Sequence, residues 1–109
     1  MVTLNVEIKN KALLAAGVLS RLGVVRAAYV FGSWAEGRAD SWSDIDVAAF
    51  MEGIDNWDLQ RRAEVMALVM KEAGYEVEAH LFPASALEHP ERGGFAEYIV
   101  QHGVCVLRD

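Results

Sequence analysis

The sequence predicts an α/β or α+β protein with a small mixed sheet and flanking helices. Two stretches carry apolar residues at helical spacing, and four short, mostly apolar runs have the composition of strands. Gly32, Gly74 and Gly103 stand at the junctions between these stretches, where glycine is typical of a break between elements. The order of helices and strands therefore indicates a sheet with helices packed on it.

The first half of the chain is expected to contain one long helix and two strands. The helix covers residues 5–22 and ends at Gly23, and a strand follows at 26–31. Ser33 is expected to cap a short helix that ends at Glu36. A second strand then covers 44–51.

The second half is expected to contain a long helix from Asp55 to Gly74, a strand over 75–82, two short helices near 84–88 and 93–102, and a strand over 104–107. The long helix has a predicted buried stripe at helical spacing, formed by Leu59, Ala63, Met66, Met70 and Ala73.

Composition narrows the class of protein. With 109 residues, of which 53% are hydrophobic, the chain is expected to form a single domain over 1–109. A net charge of −6 argues against a general nucleic-acid binder. Cys105, the single cysteine, excludes an internal disulfide framework, and its apolar surroundings favour a buried structural thiol. No apolar run or leader pattern indicates a membrane, so we expect a cytoplasmic protein, with a homo-oligomer left open.

Two aspartates at the start of the second strand are candidate metal ligands. Residues two apart on a strand point to the same face, so Asp44 and Asp46 project together while Ile45 and Val47 turn into the core. Carboxylate oxygens suit Mg²⁺, which needs one or two protein carboxylates in addition to phosphate oxygens. The alternative is a pair of solvated carboxylates on an exposed strand end.

A Gly-Ser turn follows the first predicted strand, ten residues before the two aspartates. Gly32 allows the backbone to approach an anion, and Ser33 offers a hydroxyl and the start of a helix whose N–H groups attract phosphate. The alternative is an ordinary turn with a serine cap. Phosphate and cation sites so near one another favour phosphoryl or nucleotidyl transfer, which depends on positioning and charge neutralisation.

The combined pattern resembles a known family. Gly32-Ser33, ten residues, and then Asp44-x-Asp46, with Ser43 in place, is similar to the minimal nucleotidyltransferases of the polymerase-β-like superfamily, in particular the antitoxin type. The resemblance extends from the strand at 26 to the last predicted strand. It implies the nucleotidyltransferase fold and Mg²⁺-dependent transfer of a nucleoside monophosphate, expected to be AMP, from ATP or another nucleoside triphosphate.

The resemblance also implies roles for individual residues. Gly32, Ser33 and Ser43 would hold the triphosphate, while Asp44 and Asp46 would act as catalytic metal ligands.

The family has a third carboxylate on the next strand. Glu78 is the best match here, as both a catalytic residue and a metal ligand, and Glu76 remains an alternative. His80 is either a partner to the metal site or a hydrogen-bonded surface histidine, and the sequence favours the second interpretation. Trp34 and Trp42 could stack on a base, but such residues more often fasten a loop to the body.

Two functional hypotheses follow. In the first, the chain is an enzyme that transfers AMP to a hydroxyl of a protein partner, and the resemblance implies a helical HEPN-type RNase toxin as that partner. In the second, the chain is a catalytically inert, antitoxin-like binding module that masks its partner by contact alone.

Overall fold

A four-stranded mixed sheet forms the centre of the fold in the computed structural model, which describes residues 4–109. The strands are β1 (Val24–Phe31), β2 (Ile45–Glu52), β3 (Val77–Pro83) and β4 (Val104–Arg108). Their order across the sheet is β3-β2-β1-β4. β1 pairs antiparallel with β2 and with β4, whereas β2 and β3 are parallel. The predicted mixed sheet is confirmed.

Helices cover both faces of this sheet. They are α1 (Val6–Ser20), α2 (Leu59–Ala73), α3 (Ser85–Glu88) and α4 (Phe95–His102). α1 and α2 pack against one face, where Leu19, Val47 and Val69 belong to the larger apolar cluster. Phe50 and Ile99 belong to a second cluster on the face covered by α3 and α4. Alternate side chains of a strand therefore lie on opposite faces of the sheet, in two different environments. The same alternation decides on which face a polar residue of the strand lies.

The connection between β2 and β3 differs from the prediction. Asp55 lies in a 3₁₀ turn, Ile54–Asn56, and α2 begins later, where the carboxylate of Asp58 accepts the Arg61 N–H at 2.8 Å. The two-element crossover allows β3 to return parallel to β2, because a parallel neighbour requires the chain to travel back along the sheet.

The predicted buried stripe of α2 is largely wrong. The buried residues are Val65, Val69 and Ala73, whereas Leu59 is 86% exposed. Apolar residues lie on more than one side of this helix, so periodicity alone could not choose between two neighbouring stripes. Packing against α1 and the sheet decides which stripe is buried.

Three further predictions need correction. α1 ends at Ser20, with Arg21 rather than Gly23 as its C-cap. Residues 32–37 form consecutive turns instead of a short helix, with the Glu36 N–H donating to the Gly32 carbonyl at 3.0 Å. Cys105 is exposed rather than buried, because β4 is an edge strand whose side chains are only partly covered.

Across residues 4–109, no helix combines the length and apolar character needed to cross a bilayer. The expectation of a single domain over 1–109 stays a prediction, and its first three residues lie outside the part of the chain that the structure describes.

Candidate active site

Two carboxylates face each other at the start of β2 and β3. The parallel register pairs Asp46 with Glu78. Strand alternation turns Val47, Val77 and Ala79 into the buried face beneath α1 and α2, so Asp46 and Glu78 project from the opposite face. The two acidic side chains are thus brought together by backbone pairing rather than by loop geometry.

His80 completes a group of three around this position. Its Nε2 atom lies 3.2 Å from Oδ1 of Asp46 and 3.7 Å from Oε1 of Glu78. One potential ligand atom from each of the three residues lies within 4.8 Å of the others, an arrangement that could hold a metal ion. Two like charges this close repel each other, and a cation between them would relieve that repulsion.

Solvent reaches the group from one side. The side chain of Asp46 is 25% exposed and that of His80 is 27% exposed, whereas that of Glu78 is 50% exposed. The group is therefore accessible to solvent, and its less exposed members lie beside aromatic rings. The His80 ring lies edge-to-face against Phe31, at 4.9 Å between centroids.

Gly32 brings the backbone against the Asp46 carboxylate. The residue follows β1 directly and adopts φ +74°, in the left-handed region that favours glycine. A Cβ atom at this position would lie 2.6 Å from Oδ2 of Asp46. The structure therefore brings Gly32 and Asp46 together, and only glycine permits the approach.

The next residue, Ser33, is half-buried. Its carbonyl accepts the Arg38 N–H at 2.9 Å, which holds the following turn in place. The Gly-Ser turn thus lies beside the acidic group, as the sequence indicated, although no helix begins there.

Asp44 is placed differently from Asp46. It is the residue before β2, its side chain is exposed, and it is not a member of the three-residue group. Asp44 stands one residue outside the paired strand, where alternation no longer fixes the side chain, so the expectation that the two aspartates project together stays a prediction. Of the three predicted metal ligands, Asp46 and Glu78 belong to the three-residue group, and Asp44 lies outside it.

Glu76 lies apart from the group and is paired elsewhere. β3 begins at Val77, so strand alternation does not fix the direction of the Glu76 side chain. The Glu76 carboxylate accepts a hydrogen bond from the ammonium of Lys11 on α1. This hydrogen bond holds the pKa of Glu76 below its ordinary value of 4.5. Of the two glutamates that the sequence left open, Glu78 is therefore the one that lies beside Asp46.

Ser43, predicted to help hold a triphosphate, closes a local turn. Its hydroxyl accepts the Asp40 N–H at 3.0 Å and lies 3.2 Å from the Asp40 carboxylate. Ser43 also lines a cleft of about 480 Å³ on the α1 side of the sheet, together with Trp34 and Lys11. That cleft does not include Asp46, Glu78 or His80.

The two tryptophans have different environments. Trp34 packs against the larger apolar cluster and fastens the loop to the body, while Trp42 is 91% exposed.

His80 is hydrogen-bonded, as the sequence favoured, but it is half-buried and its partner is Asp46. Its position two residues after Glu78 placed it on the correct face, but no sequence signal showed that β3 would pair with β2 in this register. The contact with Asp46 depends on that register, in which His80 lies opposite Ala48.

Comparisons with known proteins agree with this architecture. A family model described as "Polymerase beta, Nucleotidyltransferase" matches residues 16–109. The chain belongs to this nucleotidyltransferase family. No curated protein matches the sequence of this family member.

Two solved structures share the fold of this nucleotidyltransferase. One is a proposed nucleotidyltransferase from Sulfolobus solfataricus, with 18% identity, a TM-score of 0.53, and 75% of each chain covered. The other comes from a toxin-antitoxin complex with AMP-PNP, with 21% identity, a TM-score of 0.60, and coverage of 93% of this chain and 73% of that chain. At these identities the likeness shows the fold alone.

Replacing Gly32 with alanine is expected to disturb the acidic group. Gly32→Ala combines an unfavourable positive φ, costing about 1–2 kcal/mol, with a clash against Asp46. Gly53→Ala is the matched control, because Gly53 has φ +79° and nothing within 4 Å of a built Cβ. Calorimetric titration with Mn²⁺ and thermal unfolding should show similar destabilisation of both variants, but weakened metal binding only in Gly32→Ala. Equal metal binding by both would contradict the predicted contact.

The Glu76–Lys11 pair predicts a pH dependence of stability. Because the pKa of Glu76 is lowered in the folded state, its contribution is present above pH 4.5 and is lost as the pH falls through the lowered value. Glu76→Gln should therefore lose less stability than the wild type between about pH 6 and about pH 3 in urea unfolding. Glu88→Gln, at an exposed position, is the control and should follow the wild type. Parallel curves for Glu76→Gln and wild type would contradict the pairing.

Proposed function

We propose that this nucleotidyltransferase moves AMP from ATP, with Mg²⁺, to a hydroxyl group on a protein partner, and that it is the antitoxin of a pair whose toxin is a HEPN-type helical protein. The observation that carries the proposal is the in-register pairing of Asp46 with Glu78 beside the Gly32 backbone. The acceptor and the partner come from the resemblance stated above, and the acidic group supplies the chemistry.

The donor set fits a divalent cation. Oxygens of Asp46 and Glu78 are hard ligands of the kind that Mg²⁺ prefers, and open solvent on one side leaves positions for phosphate oxygens. Asp44 is kept as a proposed metal ligand in addition to Asp46 and Glu78. Its exposed side chain, two positions before Asp46, can reorient toward a bound ion. The cation would neutralise the triphosphate and stabilise the charge that develops during transfer.

The Gly-Ser turn would hold the triphosphate beside the carboxylates. At Gly32 the backbone lies close to Asp46, so an anion bound by the turn would also be close to the cation site. Ser33 is half-buried, and its hydroxyl would donate a hydrogen bond to a phosphate oxygen. Ser43 is kept as a proposed binding residue through its place in the connecting loop, although its hydroxyl is engaged with Asp40.

The proposed transfer exchanges one phosphoryl bond for another. The acceptor hydroxyl attacks the α-phosphorus of ATP and forms a new phosphate ester bond. The bond between the α-phosphorus and the bridging oxygen breaks, and pyrophosphate leaves. Glu78 lies at the exposed end of the group and accepts the proton of the attacking hydroxyl.

Support for a protein partner comes from one of the similar structures. It belongs to a toxin-antitoxin complex with AMP-PNP, an ATP analogue, and the alignment spans 93% of this chain. We therefore propose a partner protein as the acceptor, rather than a small molecule. A catalytically inert antitoxin-like module is the second candidate, and it is favoured by the position of Asp44 outside the three-residue group.

Labelled ATP distinguishes the two candidates. When the chain is co-purified with its partner and incubated with Mg²⁺, label in the α-phosphate should be transferred to the partner, whereas label in the γ-phosphate should not. Asp46→Asn and Glu78→Gln should each lower the rate by on the order of 100-fold or more, because each removes a proposed metal ligand and loss of an outer-shell partner alone costs about 10–100-fold. Asp55→Asn and Glu88→Gln, both at exposed positions outside the group, are the matched controls.

Transfer that survives both site variants would show that the proposed site is wrong. If the wild type transfers no label, and the variant that combines Asp46→Asn with Glu78→Gln still suppresses the toxicity of the partner, the chain acts as an inert binding module.

A further inference from the structure

We infer that His80 is a direct metal ligand of this site and that it shifts the metal preference from Mg²⁺ toward Mn²⁺. The inference rests on the proposed function, because it concerns the cation that assists nucleotidyl transfer. It goes beyond that function by assigning a nitrogen ligand, and with it a preference between two cations.

The position of the His80 ring supports coordination. Nε2 lies 3.2 Å from Asp46 and 3.7 Å from Glu78, so the nitrogen points into the space between the two carboxylates. Glu78 and His80 are two residues apart on β3 and share one face of the strand. Asp46 approaches from the neighbouring strand, so the three donors surround one point from two strands.

Aromatic contacts hold the ring in this orientation. The imidazole packs edge-to-face against Phe31 at 4.9 Å, and against Phe95 at 6.3 Å with planes 87° apart. Phe31 and Phe95 also contact each other at 5.4 Å, which fixes the two rings that border the imidazole. A half-buried ring fixed in this way offers its nitrogen with little loss of side-chain entropy on binding.

The chemistry of the donor set determines the preference. Mg²⁺ favours oxygen ligands in near-ideal octahedral geometry, whereas imidazole suits transition metals. Mn²⁺ accepts carboxylate oxygens as Mg²⁺ does. Because Mn²⁺ is a transition-metal ion and less strictly an oxygen-binding cation than Mg²⁺, it also accepts an imidazole nitrogen beside those oxygens. Two carboxylates with one histidine therefore favour Mn²⁺ more strongly than carboxylates alone would.

A merely structural role predicts a different observation. If His80 only donates a hydrogen bond to Asp46, then the metal contacts oxygen atoms alone and no nitrogen is coupled to it. Pulsed electron paramagnetic resonance detects nitrogen nuclei bound to Mn²⁺, so it separates a ligand from a positioning residue.

The experiment uses the full chain with Mn²⁺ and inorganic tripolyphosphate, which mimics the triphosphate but contains no nitrogen. The wild type should show ¹⁴N coupling, and labelling the protein with [¹⁵N]histidine should replace that coupling by the ¹⁵N pattern without any substitution. His80→Gln should lose the coupling, while His89→Gln, at an exposed histidine outside the group, should keep it. Calorimetric titration should show that His80→Gln lowers the ratio of Mn²⁺ to Mg²⁺ affinity by on the order of 10-fold.

The outcomes separate this inference from the proposed function. If Mn²⁺ binds the wild type, fails to bind Asp46→Asn and shows no nitrogen coupling, the role of His80 is overturned and the proposed function stands. A ¹⁴N signal that persists in His80→Gln likewise overturns the inference. If the wild type binds neither Mn²⁺ nor Mg²⁺ with tripolyphosphate, both the inference and the proposed function fail.

Discussion

The parallel register of β2 and β3 is the constraint on which the candidate site depends. It places the carboxylates of Asp46 and Glu78 opposite each other, an arrangement that is unfavourable without a cation. The register itself is fixed by burial, because a shift of one residue would turn Val77 and Ala79 toward solvent and the charged residues into the core beneath α1 and α2. Core packing thus holds two like charges together that would otherwise separate.

The two faces of the sheet carry different groups of polar residues. On the α1 side, Lys11 pairs with Glu76, and Trp34 packs against the core. On the opposite face, Gly32 and His80 both lie against Asp46. The His80 ring there packs against Phe31 and Phe95. Polar residues of similar type therefore have different partners according to the face to which their strand directs them.

Local sequence patterns predicted much of the fold and part of the site. The Gly-Ser turn and Asp46 were found because each stands at the junction of a strand, where glycine and an apolar alternation are visible in sequence. Glu78 was assigned through the family resemblance, which implies a third carboxylate on the next strand. Alternation alone left Glu76 and Glu78 on the same face, whereas it did predict that Val77 and Ala79 are buried, and the structure follows that pattern within its paired strands.

The predictions that failed or stayed open depend on where pairing stops and on which elements meet. Asp44 and Glu76 lie one residue before β2 and β3, where alternation no longer fixes a side chain. Cys105 lies in an apolar run, but its strand is at the edge of the sheet. His80 gains its contact with Asp46 only through a partner strand that is distant in sequence.

A crystal structure with Mn²⁺ and a non-hydrolysable ATP analogue, with data collected at the manganese absorption edge, would locate both the cation and the triphosphate. We expect an anomalous peak bonded to Asp46 and Glu78, with phosphate oxygens beside Gly32 and Ser33. A nucleotide in the cleft beside Lys11 and Trp34, with no anomalous peak at Asp46, would contradict this expectation.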